Sequence, residues 1–252
     1  MGKLFLKSYY KCKILLQPNG FSQIQKGDGK GLYWSHKVSD LRYLQGEYEP
    51  TLANWLKENI KKGFSFIDIG ANAGYFSLVA NKFIINDSQR IIALEPMQAN
   101  IEIIQAHIEY NGSNRIELIP VAVADINRTV EFSDSPNLAA NTYNETSSLH
   151  KNFSKIPIQA RSLDSLQSEL SFTNFVMKID VEGAELDVLK GAVNILKTNN
   201  PEFILATHEC HVKGVEKECI DFLSQQNYSC TPINEDKEVS GQRDYLCRYN
   251  DK

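Results

Sequence analysis

The stretch Phe64-Ser65-Phe66-Ile67-Asp68-Ile69-Gly70-Ala71-Asn72-Ala73-Gly74-Tyr75-Phe76-Ser77 decides the fold. A short apolar run, Phe64 to Ile69, reads as a buried strand. It stops at a glycine, and a helix is predicted from about Gly74 to Phe83. Gly70 lets the backbone turn tightly, and Gly74 lets the helix lie close to the sheet or to a ligand.

The pattern repeats on both sides of this turn. Leu52, Trp55, Leu56 and Ile60 fall on one face of a preceding helix that starts near Pro50 and ends at Gly63. Arg90 to Glu95 is a second strand, stopped by Pro96. Met97, Ile101, Ile104 and Ile108 space out a helix closed by Asn111-Gly112. Further strands are predicted over 115–123, 174–180 and 201–207, with helices over 185–197 and 215–226. Two late strands, 228–233 and 245–249, have no helix between them. The expected fold is α/β and Rossmann-like: a mostly parallel seven-stranded sheet, helices on both faces, and a terminal antiparallel hairpin. That order matches the class I methyltransferase fold by analogy. Residues 1–46 are expected as an N-terminal extension packed on a main domain, 47–252. In it Gly27, Gly29 and Gly31 suggest a hairpin or loop. His107 and His150 are expected at the surface.

Bulk properties narrow the function. The 252 residues suit one sizeable α/β domain. A net charge of -4, from 27 basic and 31 acidic residues, gives no pull toward nucleic acid or acidic lipid. No window is apolar enough to span a bilayer. Lys3, Lys7, Lys11 and Lys13 break up any signal-peptide core, and Leu6 stands where a myristoylation signal needs Ser or Thr. The five cysteines are odd in number and lack CxxC spacing, which points to reduced thiols and a cytoplasmic setting. The expected partners are a small-molecule or glycan acceptor, with no nucleic acid and no stable membrane insertion; a homo-oligomer is left open.

Glu95 ends the second strand, where a carboxylate can accept hydrogen bonds from both hydroxyls of a ribose. Together with the Gly70 turn it implies an adenosine-type ligand at the carboxyl ends of the strands. A dinucleotide fingerprint would place glycines at 70, 72 and 75, but those positions hold Gly70, Asn72 and Tyr75. A pyrophosphate needs closer backbone approach than these side chains allow. S-adenosylmethionine carries no phosphate, so it is the expected cofactor. A nicotinamide-dependent oxidoreductase and a catalytically silent nucleoside-binding module are the alternatives.

At the end of the fourth core strand stands Lys178-Ile179-Asp180-Val181-Glu182-Gly183-Ala184-Glu185, and at the end of the fifth Thr207-His208-Glu209. Polar groups from both ends converge near the expected cofactor. Asp180, Glu182 and His208 are the catalytic candidates, to orient an acceptor and take its proton. Only two carboxylates are clearly placed for a metal, so metal-free catalysis is expected and no metal ligand is assigned. A histidine base would give a rate rising with pH around neutrality. The polar stretch from about Ser133 to Ser154 is expected as an acceptor-side lid.

The strings Asp68 to Ser77, Glu95-Pro96 and Lys178 to Glu185 followed by Val188-Leu189-Lys190-Gly191-Ala192 closely resemble the signature of the FkbM-type methyltransferases. Asp164, in Ser162-Leu163-Asp164-Ser165-Leu166, resembles that family's short motif before the fourth strand. The resemblance runs from about residue 49 to 207. It implies methylation of a hydroxyl on a sugar, glycan or secondary metabolite. It also implies that Glu49 approaches the methionine end of the cofactor. The cofactor-binding candidates are Glu49, Asp68, Gly70, Asn72, Gly74, Tyr75, Phe76, Glu95, Pro96 and Asp180.

Overall fold

The computed structural model describes residues 20–134, 142–143, 154–170, 173–233 and 241–250. A small antiparallel pair, β1 (Phe21–Gln23) and β2 (Tyr33–Ser35), precedes a short helix α1 (Leu41–Gln45) and α2 (Pro50–Lys61). Alternation then begins: β3 (Ser65–Ile69), α3 (Tyr75–Lys82), β4 (Ile91–Leu94), α4 (Gln98–Asn111) and β5 (Ile116–Ile119). Three short strands follow, β6 (Ala122–Val123), β7 (Arg128–Asp134) and β8 (Ser154–Arg161), then α5 (Leu163–Leu170) and β9 (Phe175–Ile179). The chain ends with α6 (Glu185–Lys190), α7 (Val193–Asn199), β10 (Phe203–His208), α8 (Val215–Gln225), β11 (Tyr228–Pro232) and β12 (Gln242–Tyr249).

The main sheet has seven strands in the order β11-β12-β10-β9-β3-β4-β5. β12 runs antiparallel to both of its neighbours, while β10, β9, β3, β4 and β5 pair parallel. Pleating sends successive side chains to opposite faces. Phe66, Ile91 and Val176 pack with α2, α3 and α4, while Ile67, Ile92 and Met177 pack with α5 to α8. Strands buried on both faces read as continuous apolar runs, which is why they were visible in the sequence.

Two expected elements are divided. The strand predicted over 115–123 breaks at Pro120, and its end becomes β6 of a separate three-stranded sheet, β6-β8-β7. The single helix predicted over 185–197 is two, meeting at Gly191 and Ala192, and only a glycine fits at 191, where a Cβ would stand 2.0 Å from the carbonyl oxygen of Ala124. Asp164 serves this break: its carboxylate accepts from the backbone N–H groups of Asn194 (2.9 Å) and Ile195 (3.0 Å), capping α7.

His107 is fully buried, contrary to the surface position expected for it. Its Nε2 accepts from Ser35 N–H (2.9 Å) and its Nδ1 donates to the carbonyl of Ala73 (2.8 Å). Burial lowers its pKa to about 4, so it is neutral and ties β2, α4 and the turn after β3 together. His107→Ala leaves a buried N–H and a buried C=O unpaired and opens a void, at an expected cost of about 2–4 kcal/mol. Urea denaturation measures this; an unchanged midpoint would contradict the role. No helix among the described residues is long and apolar enough to cross a membrane.

Candidate active site

The strand order reverses between β3 and β9, and a cleft of about 1020 Å³ opens at the carboxyl ends there. Three consecutive bends build its floor: Gly70 (φ 77°), Asn72 (φ 52°) and Gly74 (φ 78°) all lie in the left-handed region. Both Gly70 N–H (3.0 Å) and Ala71 N–H (3.1 Å) donate to the carbonyl of Leu94, which locks the turn against β4. At Gly70 a Cβ would stand 1.9 Å from the carbonyl oxygen of Asp180, so β3 and β9 touch there through backbone alone. Gly74 serves packing, since its Cβ would press on Ile104 of α4 at 3.2 Å.

Glu95 sits in the wall of the cleft, only 4% exposed. It accepts from the N–H of Asn72 (2.8 Å), the N–H of Met97 (3.0 Å) and the Nδ2 of Asn100 (3.0 Å). Burial pushes its carboxyl up to about 7, against the pull of these donors. Asp68 lies under the turn rather than on the cleft. Its Oδ2 accepts from the hydroxyl of Ser77 (2.7 Å), and burial raises its pKa. Asn72, Tyr75, Phe76 and Pro96 line the cleft. Glu49 caps α2 in a left-handed conformation (φ 38°) and is not among the lining residues; its charge acts on Lys178.

At the β9 end, Lys178 is a buried residue of the cleft lining and donates to Asp180 Oδ2 (2.9 Å). Burial disfavours its charge, but Asp180, Asp68 and Glu49 outweigh this and raise its pKa. His208 is 3% exposed. Its Nε2 lies 3.4 Å from Asp180 Oδ1 and 3.5 Å from Glu182 Oε2, and its Nδ1 lies 2.6 Å from Glu185 Oε1. Burial lowers its pKa, but the bond to Glu185 and the charges of Glu182, Glu185 and Asp180 lift it to about 10. With no cation at this corner, its carboxylate neighbours favour the protonated imidazole. Asp180 and Glu182 line the cleft, while His208 stands behind them. Glu185 is fully buried under His208.

Two further walls lie outside the expected cofactor and catalytic residues, and Tyr143, in one of them, belongs to the polar stretch expected as a lid. Tyr43 and Tyr48, stacked with centroids 4.0 Å apart, contribute one, together with 37–42. Phe132 and Tyr143 contribute another. Tyr143 donates to the carbonyl of Val123 (3.2 Å). Of the polar stretch expected as a lid, 135–141 and 144–153 lie outside the described residues.

A family model described as a methyltransferase FkbM domain matches residues 68–230. The chain belongs to the FkbM methyltransferase family. It is thus a methyltransferase, and the nicotinamide-dependent oxidoreductase alternative falls. Solved structures share the fold. The FkbM methyltransferase from Methylobacillus flagellatus KT is 19% identical, with a TM-score of 0.51 over 73% of this chain and 43% of that one. This chain therefore spans less than half the length of that protein. The O-methyltransferase TomG from Streptomyces achromogenes is 11% identical over 81% of each chain, with a TM-score of 0.51. An rRNA methylase from Streptococcus thermophilus is 8% identical over 80% of this chain and 96% of that one, with a TM-score of 0.52. At such identities the likeness is one of fold. No curated protein is significantly similar in sequence.

The cleft fits the family's cofactor. Its volume suits a nucleoside-sized ligand. Residues 70–76 carry no basic side chain, and Asn72 and Tyr75 line the cleft at positions where a dinucleotide fingerprint has glycines. A buried carboxylate, Glu95, waits in the wall.

Proposed function

We propose that this FkbM-family enzyme methylates a hydroxyl group on a sugar, glycan or secondary metabolite. The observation that carries the reading is the acidic corner of Asp180 and Glu182 facing a cleft whose lining includes Tyr43, Tyr48, Phe132 and Tyr143. A hydroxyl must lose a proton as it becomes a nucleophile, and carboxylates beside it orient it and ease that loss. Aromatic walls suit the apolar face of a sugar ring or a polyketide-like skeleton. S-adenosylmethionine, when bound, supplies a methyl group on a positively charged sulfur.

Each residue then has a task. Glu95 accepts from the ribose hydroxyls, and the turn 70–74 brings backbone against the ligand. Lys178 holds Asp180 in place and offsets its charge. His208, held by Glu185, fixes the orientation of Asp180 and Glu182. The acidic corner would take the acceptor's proton as its oxygen gains the methyl, and the bonding electron pair would stay on the cofactor's sulfur. Incubation with methyl-labelled cofactor and candidate glycans, followed by NMR of the product, tests this. The expected label is an O-methyl group; a methyl on nitrogen or carbon would overturn it.

A pH dependence follows from Glu95. Above pH 7 it is a carboxylate, and below pH 7 it carries a proton and loses acceptor capacity. Affinity for S-adenosylhomocysteine is expected to fall up to about tenfold from pH 8 to pH 6. In Glu95→Gln it should be weak and flat across that range. Calorimetry at both pH values reads this, and a pH-independent wild type would contradict it.

A further inference from the structure

We propose that Asp180, Glu182 and His208 form a binding site for one divalent transition-metal ion at the wall of the cleft. One ligand atom from each residue can be chosen so that all three lie within 4.8 Å of one another. An ion with bonds of about 2.0–2.3 Å holds ligands up to about 4.6 Å apart across it. The three atoms therefore surround a single point with little adjustment. One imidazole nitrogen and two carboxylate oxygens favour Mn²⁺, Fe²⁺, Co²⁺ or Zn²⁺ over Mg²⁺ or Ca²⁺, which prefer oxygen alone.

The second observation lies behind His208. Glu185 is fully buried, and its Oε1 takes both His208 Nδ1 (2.6 Å) and the N–H of Gly183 (2.9 Å). Among the described residues its Oε2 has no hydrogen-bond partner. A buried carboxylate in this place costs stability unless something nearby repays it. With Nδ1–H held on Glu185, an ion takes the place of the proton on Nε2, between Asp180 and Glu182, the arrangement by which carboxylates orient metal-binding histidines. Asp180, Glu182 and Glu185 gather about His208, with Lys178 on Asp180 and His211 Nε2 2.9 Å from Glu182 Oε2, so an ion at this point meets carboxylates on two sides. Lys178 takes Asp180 Oδ2 and leaves Oδ1 on the His208 side.

The site departs from the metal-free chemistry expected from the sequence. Its role in turnover rests on the hydroxyl reading above. Asp180 and Glu182 open onto the cleft, so an ion they held would lie beside an acceptor hydroxyl and make its proton easier to lose.

The test is Mn²⁺ binding to the chelator-stripped full chain, followed by the EPR signal of free Mn²⁺, with no cofactor added. One Mn²⁺ per chain is expected, and binding to Mg²⁺ should be weaker. Glu182→Gln, at the open side, and Glu185→Gln, behind the histidine, should each weaken Mn²⁺ by about 10–100-fold. Melting and S-adenosylhomocysteine calorimetry on each variant report that the fold persists. A wild type that binds S-adenosylhomocysteine but no Mn²⁺ at millimolar concentration overturns the metal site and leaves the methyltransferase reading standing. Mn²⁺ bound with equal affinity by wild type and Glu182→Gln also overturns it.

Discussion

Gly70→Ala is expected to lose cofactor binding and to melt well below the wild type. The position is left-handed (φ 77°), and the added Cβ would stand 1.9 Å from the oxygen and 3.0 Å from the carbon of the Asp180 carbonyl. These are backbone atoms of β9's end, so no side-chain rotation relieves the overlap. Either the turn or the β9 end must move, and each carries half of the site. Left-handed strain and overpacking together cost about 3 kcal/mol or more, which lowers the melting temperature by roughly 6–12 °C in a chain of this size. Gly112→Ala is the control. It has a similar φ of 62° with nothing within 4 Å, so only the conformational cost applies there. Equal melting of the two variants would show that the contact between β3 and β9 is not tight.

Glu95→Ala should weaken S-adenosylhomocysteine binding by about 100-fold or more, since two hydrogen bonds from ribose hydroxyls to a charged acceptor contribute roughly 1.5–3 kcal/mol each. The sequence alone suggested that the fold would be untouched. The structure corrects this, because the same carboxylate receives Asn72 N–H, Met97 N–H and Asn100 Nδ2. Truncation leaves buried donors unpaired and costs about 1–3 kcal/mol of stability. Glu95→Gln separates the two effects by keeping the side-chain volume and one acceptor oxygen. Calorimetry and thermal melting on both variants decide it. Wild-type affinity in Glu95→Ala would remove Glu95 from the cofactor site.

Local physics made much of the fold legible. The Gly70 turn is written in residue types that only a tight strand-to-helix passage requires. Strands buried on both faces announce themselves as apolar runs. Glu95 and Asp180 stand out as charges at the ends of such runs.

Long-range contacts decided the rest. Val188, Leu189, Ile195 and Leu196 continue one amphipathic pattern, so nothing local reveals the break at Gly191 or the close approach of the Ala124 carbonyl there. His107 lies beside Ile104 on α4, and it is β2, 72 residues away in sequence at Ser35, that supplies its partner. Tyr43 and Tyr48 sit in a segment without periodicity, so their place in the cleft was invisible. The partner of Glu185, His208, is 23 residues further on, so no local pattern reveals their pairing.

The most direct measurement of the central claim is a crystal structure of the chain with S-adenosylhomocysteine. The account predicts the ribose hydroxyls on Glu95, the nucleoside against the turn 70–74, and the sulfur toward Asp180. A nucleoside bound away from Glu95, or a cleft that stays empty at saturating ligand, would contradict it.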